Sequence, residues 1–139
     1  MRFLLFSLIL SLHCQVFAGS HFENGIGLYG EEKYNEAYIQ FQEGVLEKDG
    51  RCLRGIGMCA LKLRDYKLVK GFEKMMIQYA RADSEMLKIG LGYSALLKER
   101  DSFKLYLKVV NPVDARKDET LAKALAVGAL TFLKDEGDE

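Results

Sequence analysis

Four stretches of small residues recur along this 139-residue chain and constrain its fold more than any other feature. The clearest is Gly55-Ile56-Gly57-Met58-Cys59-Ala60-Leu61. Its relatives are Gly25-Ile26-Gly27-Leu28-Tyr29, Gly90-Leu91-Gly92-Tyr93-Ser94-Ala95-Leu96 and Ala126-Val127-Gly128-Ala129-Leu130. Each lies in a segment whose apolar residues fall three to four positions apart, the period of a helix buried on one face. A glycine inside a helix costs about 1 kcal/mol relative to alanine. Its repeated use implies that another backbone or a large side chain must approach closely at each site.

Long apolar-periodic segments alternate with short polar breaks made of Gly, Asn, Asp and Ser, and the chain holds a single proline. This is an all-α pattern. A first helix is expected over about Phe22 to Gly30, and a second carries Tyr34, Ala37, Phe41 and Val45, ending at Lys48-Asp49-Gly50. The plan then repeats. Arg51 to Leu63 carries Leu53, Ile56, Ala60 and Leu63, Arg64-Asp65 makes the turn, and Tyr66, Val69, Phe72 and Met76 mark the next helix. A third pair starts at a cap, Asp83 or Ser84, and runs to Glu99; a shorter helix with Phe103, Leu107 and Val110 ends at Asn111-Pro112. One more helix, roughly Asp118 to Lys134, precedes an acidic tail over 135–139.

Internal repeats are tested by aligning the glycine that precedes each turn. Gly25 to Tyr34, Gly57 to Tyr66 and Gly92 to Asp101 are each nine residues, and the intervals Gly25 to Gly57, Gly57 to Gly92 and Gly92 to Gly128 are 32, 35 and 36. In an antiparallel pair of this kind the small position on the first helix receives a bulky residue from the second; Gly25, Gly57, Gly92 and Gly128 fit the small slots, and Phe41 a large one. With periods near 34 and the residues Gly25, Leu28, Tyr34, Ala37, Phe41, Gly44 and Leu53, Ile56, Gly57, Ala60, Asp65, Tyr66, the chain resembles a tetratricopeptide-repeat (TPR) protein. The second unit departs from the pattern at Val69 and Phe72, the third at Ser102. The resemblance implies a right-handed α-solenoid of about three helical hairpins (19–49, 50–83, 84–113) with a capping helix over 115–134, within one repeat domain of residues 19–134. A plain helical bundle is the alternative.

The amino terminus has the grammar of a secretory leader. Met1 and Arg2 precede an apolar run, Phe3 to Leu12, and Val16-Phe17-Ala18 resembles a cleavage site, so residues 1–18 are expected to be a cleavable signal peptide. Lipid anchoring through Cys14 is the rival reading, weakened by His13 where lipoproteins place a small residue. Export into a bacterial envelope, periplasmic or secreted, follows as the expectation, with membranes nearby and nucleic acid excluded as a partner. Cys52 and Cys59, seven residues apart on one expected helix, stand about 10 Å apart along its axis. That is too far for a disulfide within one chain, so both are expected to fill small slots in helix packing, a bridge between two chains being the alternative. Net charge is zero, yet residues 19–49 hold seven acidic and two basic side chains, residues 50–112 thirteen basic and six acidic, and residues 113–139 seven acidic and four basic. The bland reading is a solvated helical surface; the functional one is a cationic face for an acidic partner or anionic headgroups.

Catalytic and metal chemistry find little to build on. His21 stands beside the expected cleavage point, where it is expected to be unordered, and the two cysteines lack further metal ligands at zinc spacing. The Gly-Ile-Gly pair lacks the strand and the Lys-Ser/Thr that a nucleotide loop needs. The chain is therefore read as a non-enzyme without cofactor or metal; an enzyme with an unrecognised site is the remote alternative. The TPR resemblance implies that the first helix of each unit lines a concave groove. In this sequence that face holds Phe22, Ile26 and Tyr29; Arg54, Met58, Leu61 and Lys62, with Arg51 at its flank; Ile89, Tyr93, Leu96 and Leu97; and, on the last helix, Leu125, Ala129 and Phe132. Some residues of such a stripe are ordinary core, since an apolar helix face more often packs inward than binds a ligand. The rest suits a protein or peptide partner with an apolar, acid-flanked segment, anchored on Met58, Tyr93 and Leu96 and steered by Arg54 and Lys62. Self-association into an envelope assembly is the second reading.

Overall fold

The computed structural model describes residues 20–136, and all its regular elements are α-helices: α1 (His21–Gly30), α2 (Tyr34–Leu46), α3 (Arg51–Leu63), α4 (Lys67–Lys70), α5 (Glu73–Ala80), α6 (Ser84–Leu96), α7 (Arg100–Leu107), α8 (Pro112–Lys117) and α9 (Glu119–Glu136). The expected leader with Cys14 lies outside the described residues, as do positions 137–139 of the acidic tail.

Local chemistry explains where the helices start. Ser20 caps α1 by accepting from the Glu23 amide at 3.2 Å, Asp83 caps α6 through the Met86 amide at 2.9 Å, and Asp118 caps α9 through the amides of Thr120 and Leu121. Asn111 does the same for α8, with Pro112 at the first helical position, where its missing amide proton is no loss. Two breaks differ from the sequence expectation. The second helix of the middle hairpin is split into α4 and α5 at Gly71-Phe72, where glycine weakens the helix. The stretch after Asn111, where the sequence places the capping helix from 115, folds into a separate short helix, α8, before α9 begins at Glu119. Three hairpin turns share one device, a non-glycine residue in left-handed backbone after the first helix: Glu32 (φ 62), Arg64 (φ 50) and Lys98 (φ 57).

Packing follows chain order. The first helices of the hairpins lie side by side, α1 on α3, α3 on α6 and α6 on α9, while α2 packs on both α1 and α3 and α5 packs on α6 and α7. One core runs through them, with Phe41, Ile56, Met76, Leu91, Tyr93 and Tyr106 fully enclosed. Phe41 explains two glycines at once, since its ring lies against Gly25 of α1 and Gly55 of α3; a Cβ at Gly25 would sit 2.5 Å from the ring. Gly128 of α9 accepts Phe103 of α7 in the same way, and Gly57 faces Ile89 and Met76. The third unit corrects the expected register. Tyr106 lies against Gly90, not Gly92, whose nearest neighbour would be Leu61 at 4.0 Å. Gly25 to Phe41 and Gly90 to Tyr106 are both sixteen residues, so Gly90 is the structural partner of Gly25. Glycine spacing alone could not choose between two glycines one helical step apart.

Candidate functional site

Where α3, α6 and α9 run side by side, the loop end of the array opens into an apolar cleft of about 560 Å³. Leu61 comes from α3, Gly92, Ala95 and Leu96 from α6, and Ala124, Val127 and Thr131 from α9; Lys98 and Lys123 stand at its edges. Leu96 is 47% exposed and Val127 59%. Gly92, displaced from the core by the register shift, contributes the absence of a side chain that keeps the cleft open between α6 and Leu61. Lys123 pairs with Glu119 at 2.8 Å on the solvent side, and the cleft lining itself holds no carboxylate.

The structure brings together only part of the expected groove. Leu61 and Leu96 meet in this cleft, with exposed Lys62 beside Leu61 in sequence. Met58 is half-buried, Ile26 is 41% exposed on α1, and Tyr29 packs edge-on against Tyr34 at 5.1 Å. Phe22, Arg51 and Arg54 form a separate cluster. The Arg51 guanidinium lies 4.5 Å over the Phe22 ring and is held by both carboxylate oxygens of Asp49, and Arg54 reaches Asp83 at 3.8 Å. Arg54 therefore ties α3 to the cap of α6 and is no free steering cation. Ile89 fills the space over Gly57. Tyr93 has no exposed surface at all, so it is core and not an anchor. Leu125, Ala129 and Phe132 turn to a different, smaller cleft of about 280 Å³ against Phe103 and Leu107 of α7. The cleft residues missed from sequence, Ala95, Lys98, Ala124, Val127 and Thr131, follow from taking Gly90 as the close-contact glycine and rotating the α6 and α9 faces accordingly.

A half-buried polar cluster at the floor of a cleft along α4 and α5 is built around Glu73. Its carboxylate accepts hydrogen bonds from Tyr66 at 3.0 Å, Ser102 at 2.8 Å and Tyr93 at 2.5 Å, and Tyr93 also shares a hydrogen bond with Tyr106 at 2.8 Å. Burial pushes the Tyr93 and Tyr106 phenols well above their ordinary range, and lifts the thiols of Cys52 to about 11 and Cys59 to about 12. Protonated phenols and thiols in closed packing are structural, not nucleophilic. His21, instead of lying loose, opens α1 and hydrogen-bonds Gln40 at 2.9 Å, with Glu43 and Glu47 at 3.5 and 3.3 Å. Among the described residues no three His, Cys, Asp or Glu side chains are grouped to hold a metal ion, and no helix is long and apolar enough to cross a membrane. Compared with protein-family models, curated proteins and solved structures, the chain matches none.

Proposed function

We propose that this chain is an exported, non-enzymatic interaction module of TPR type, whose α3–α6–α9 cleft receives an apolar peptide or helix segment with acidic flanks in a bacterial envelope. The exposed apolar cleft edged by Lys98 and Lys123 carries the reading. Exposed Leu96 and Val127 with half-buried Leu61, gathered across three helices with cations and no carboxylate in the lining, match a segment that buries its own apolar residues there and places acids at the rim. The side-by-side first helices and the aromatic-on-glycine contacts support the solenoid reading behind it. The site takes binding energy from burial, and the lysines add orientation and encounter rate.

The double variant Leu61→Glu with Leu96→Glu tests the cleft. Neither side chain belongs to the fully enclosed core, so the melting temperature is expected to stay within a few degrees of wild type. Crosslinking capture from the native envelope fraction is expected to lose the bands that wild type retains. Equal capture by variant and wild type removes the cleft from the proposal.

A further inference from the structure

The outer face of α2 is strongly patterned, and apart from His21 beside Glu43 and Glu47 it is open to solvent. Glu36, Ile39, Glu43, Leu46 and Glu47 fall at helical spacing; Ile39 is 52% exposed and Leu46 80%. The carboxylates of Glu43 and Glu47 flank His21 but their side chains are still 53% and 69% exposed. Ile39 and Leu46, two turns apart on one face, make a short apolar strip between acids that apolar cover and positive charge would complement.

The opposite pattern lies on the middle hairpin. A cleft of about 680 Å³ opens along α4 and α5, with Lys70, Lys74 and Arg81 on its edge, Ile77 and Leu105 among its lining, and one carboxylate, Glu73, already engaged by Tyr66, Tyr93 and Ser102. None of these three cations has an ion-pair partner among the described residues, and Leu105 is 42% exposed. The spacings match as well as the signs. Glu36, Glu43 and Glu47 are separated by seven and four residues; Arg81, Lys74 and Lys70, read in the opposite chain direction, are also separated by seven and four. Seven residues of helix span about 10.5 Å. An α2 laid antiparallel into the cleft therefore sets Glu36 beside Arg81 and Glu43 beside Lys74, with Glu47 toward Lys70 across the bend at Gly71, while Ile39 and Leu46 cover Ile77 and Leu105.

We infer that the α4–α5 cleft binds the acidic, apolar outer face of α2 from a second copy of this chain. The contact is separate from the α3–α6–α9 cleft, so either can fail alone. Two such contacts that close on each other give a dimer, and contacts that do not close give an open series.

Sedimentation velocity of residues 19–139 tests this at about 0.01 M and about 0.3 M salt, because exposed ion pairs are screened over about 30 Å at the lower and less than 10 Å at the higher ionic strength. Such a contact falls in roughly the micromolar to millimolar range, so the series should reach about 1 mM protein. Wild type is expected to grow in mass with concentration at low salt and to return to monomer at high salt. Lys74→Glu with Arg81→Glu, and separately Glu36→Lys with Glu43→Lys, are each expected to stay monomeric with unchanged thermal melting. Mixing the two variants restores acid-to-base pairing, so the mixture is expected to associate again. The milder Lys74→Gln with Arg81→Gln serves if a reversal variant does not fold, and is expected to weaken association at least several-fold. A wild type that stays monomeric throughout overturns the inference, as does monomeric wild type that sediments with anionic phosphatidylglycerol vesicles. Reversal variants that associate like wild type, or a mixture that stays monomeric, overturn it equally. The variant Leu61→Glu with Leu96→Glu should associate as wild type does.

Discussion

Glu73 stands at a sequence offset that elsewhere in the chain carries an aromatic ring, although Met76 and Ile89 are what face Gly57. Phe41 lies sixteen residues after Gly25 and Tyr106 sixteen after Gly90, while Glu73 lies sixteen after Gly57. A carboxylate in that position is tolerable only because Tyr66, Tyr93 and Ser102 donate to it. Hydrogen bonds to charged groups contribute about 1.5–3 kcal/mol each, and a buried hydroxyl left unpaired costs about as much. Tyr93→Phe removes one of these donors and also orphans part of the Tyr106 hydroxyl's bonding. Its expected cost is about 2 kcal/mol, read as a lower urea midpoint with an unchanged slope. No sequence rule pointed to this cluster, because its members come from three helices and the turn before α4, and the bonded pair Tyr66–Ser102 spans 36 residues.

At the scale of the helix, the glycines divide into two kinds that the sequence shows as one motif. Gly25 and Gly27 are two residues apart on α1, yet Gly25 is pressed against Phe41 and nothing lies within 4 Å of a Cβ built at Gly27. Gly27→Ala should therefore stabilise by about 0.5–1 kcal/mol through helix propensity. Gly25→Ala must displace the Phe41 ring from between α1 and α3, an overpacking cost of about 1–3 kcal/mol that outweighs the same propensity gain. Thermal melts of the two single variants should shift in opposite directions; a shared direction would contradict the packing. Helix boundaries were legible from apolar period and caps to within a few residues for α1, α3, α6 and α9. The α4–α5 break and α8 were not, because a bend at Gly71 and a one-turn helix after Asn111 lack the length that makes periodicity visible.

Across the whole molecule, protons on buried groups give a pH dependence of known sign. Burial raises the phenols of Tyr93 and Tyr106, and those of Tyr29, Tyr38 and Tyr66, above the ordinary 10.0, and raises the thiols of Cys52 and Cys59 above the ordinary 9.0. The unfolded chain then releases these protons at lower pH than the folded one. Their stabilising contribution is complete below about pH 9 and is lost progressively as pH rises, thiols first and phenols from about pH 10. Melting temperature measured from pH 8 to 11 should be level at first and then fall. A level profile to pH 11 would mean these groups are open to solvent.

The sequence by itself determined that the chain is all-α, that its helices come in glycine-marked hairpins and that Leu61 and Leu96 belong to surface-bearing faces, because helical period and glycine cost are local properties of the chain. Only the tertiary structure decided which glycine of each pair meets a ring and that Tyr93 is core. It also decided that Arg51 and Arg54 are already paired and that the open cleft runs from α3 to α9. Those outcomes depend on how one helix is rotated against the next. A rotation of one or two residues leaves the sequence pattern almost unchanged while moving each side chain between interior, neighbour and solvent.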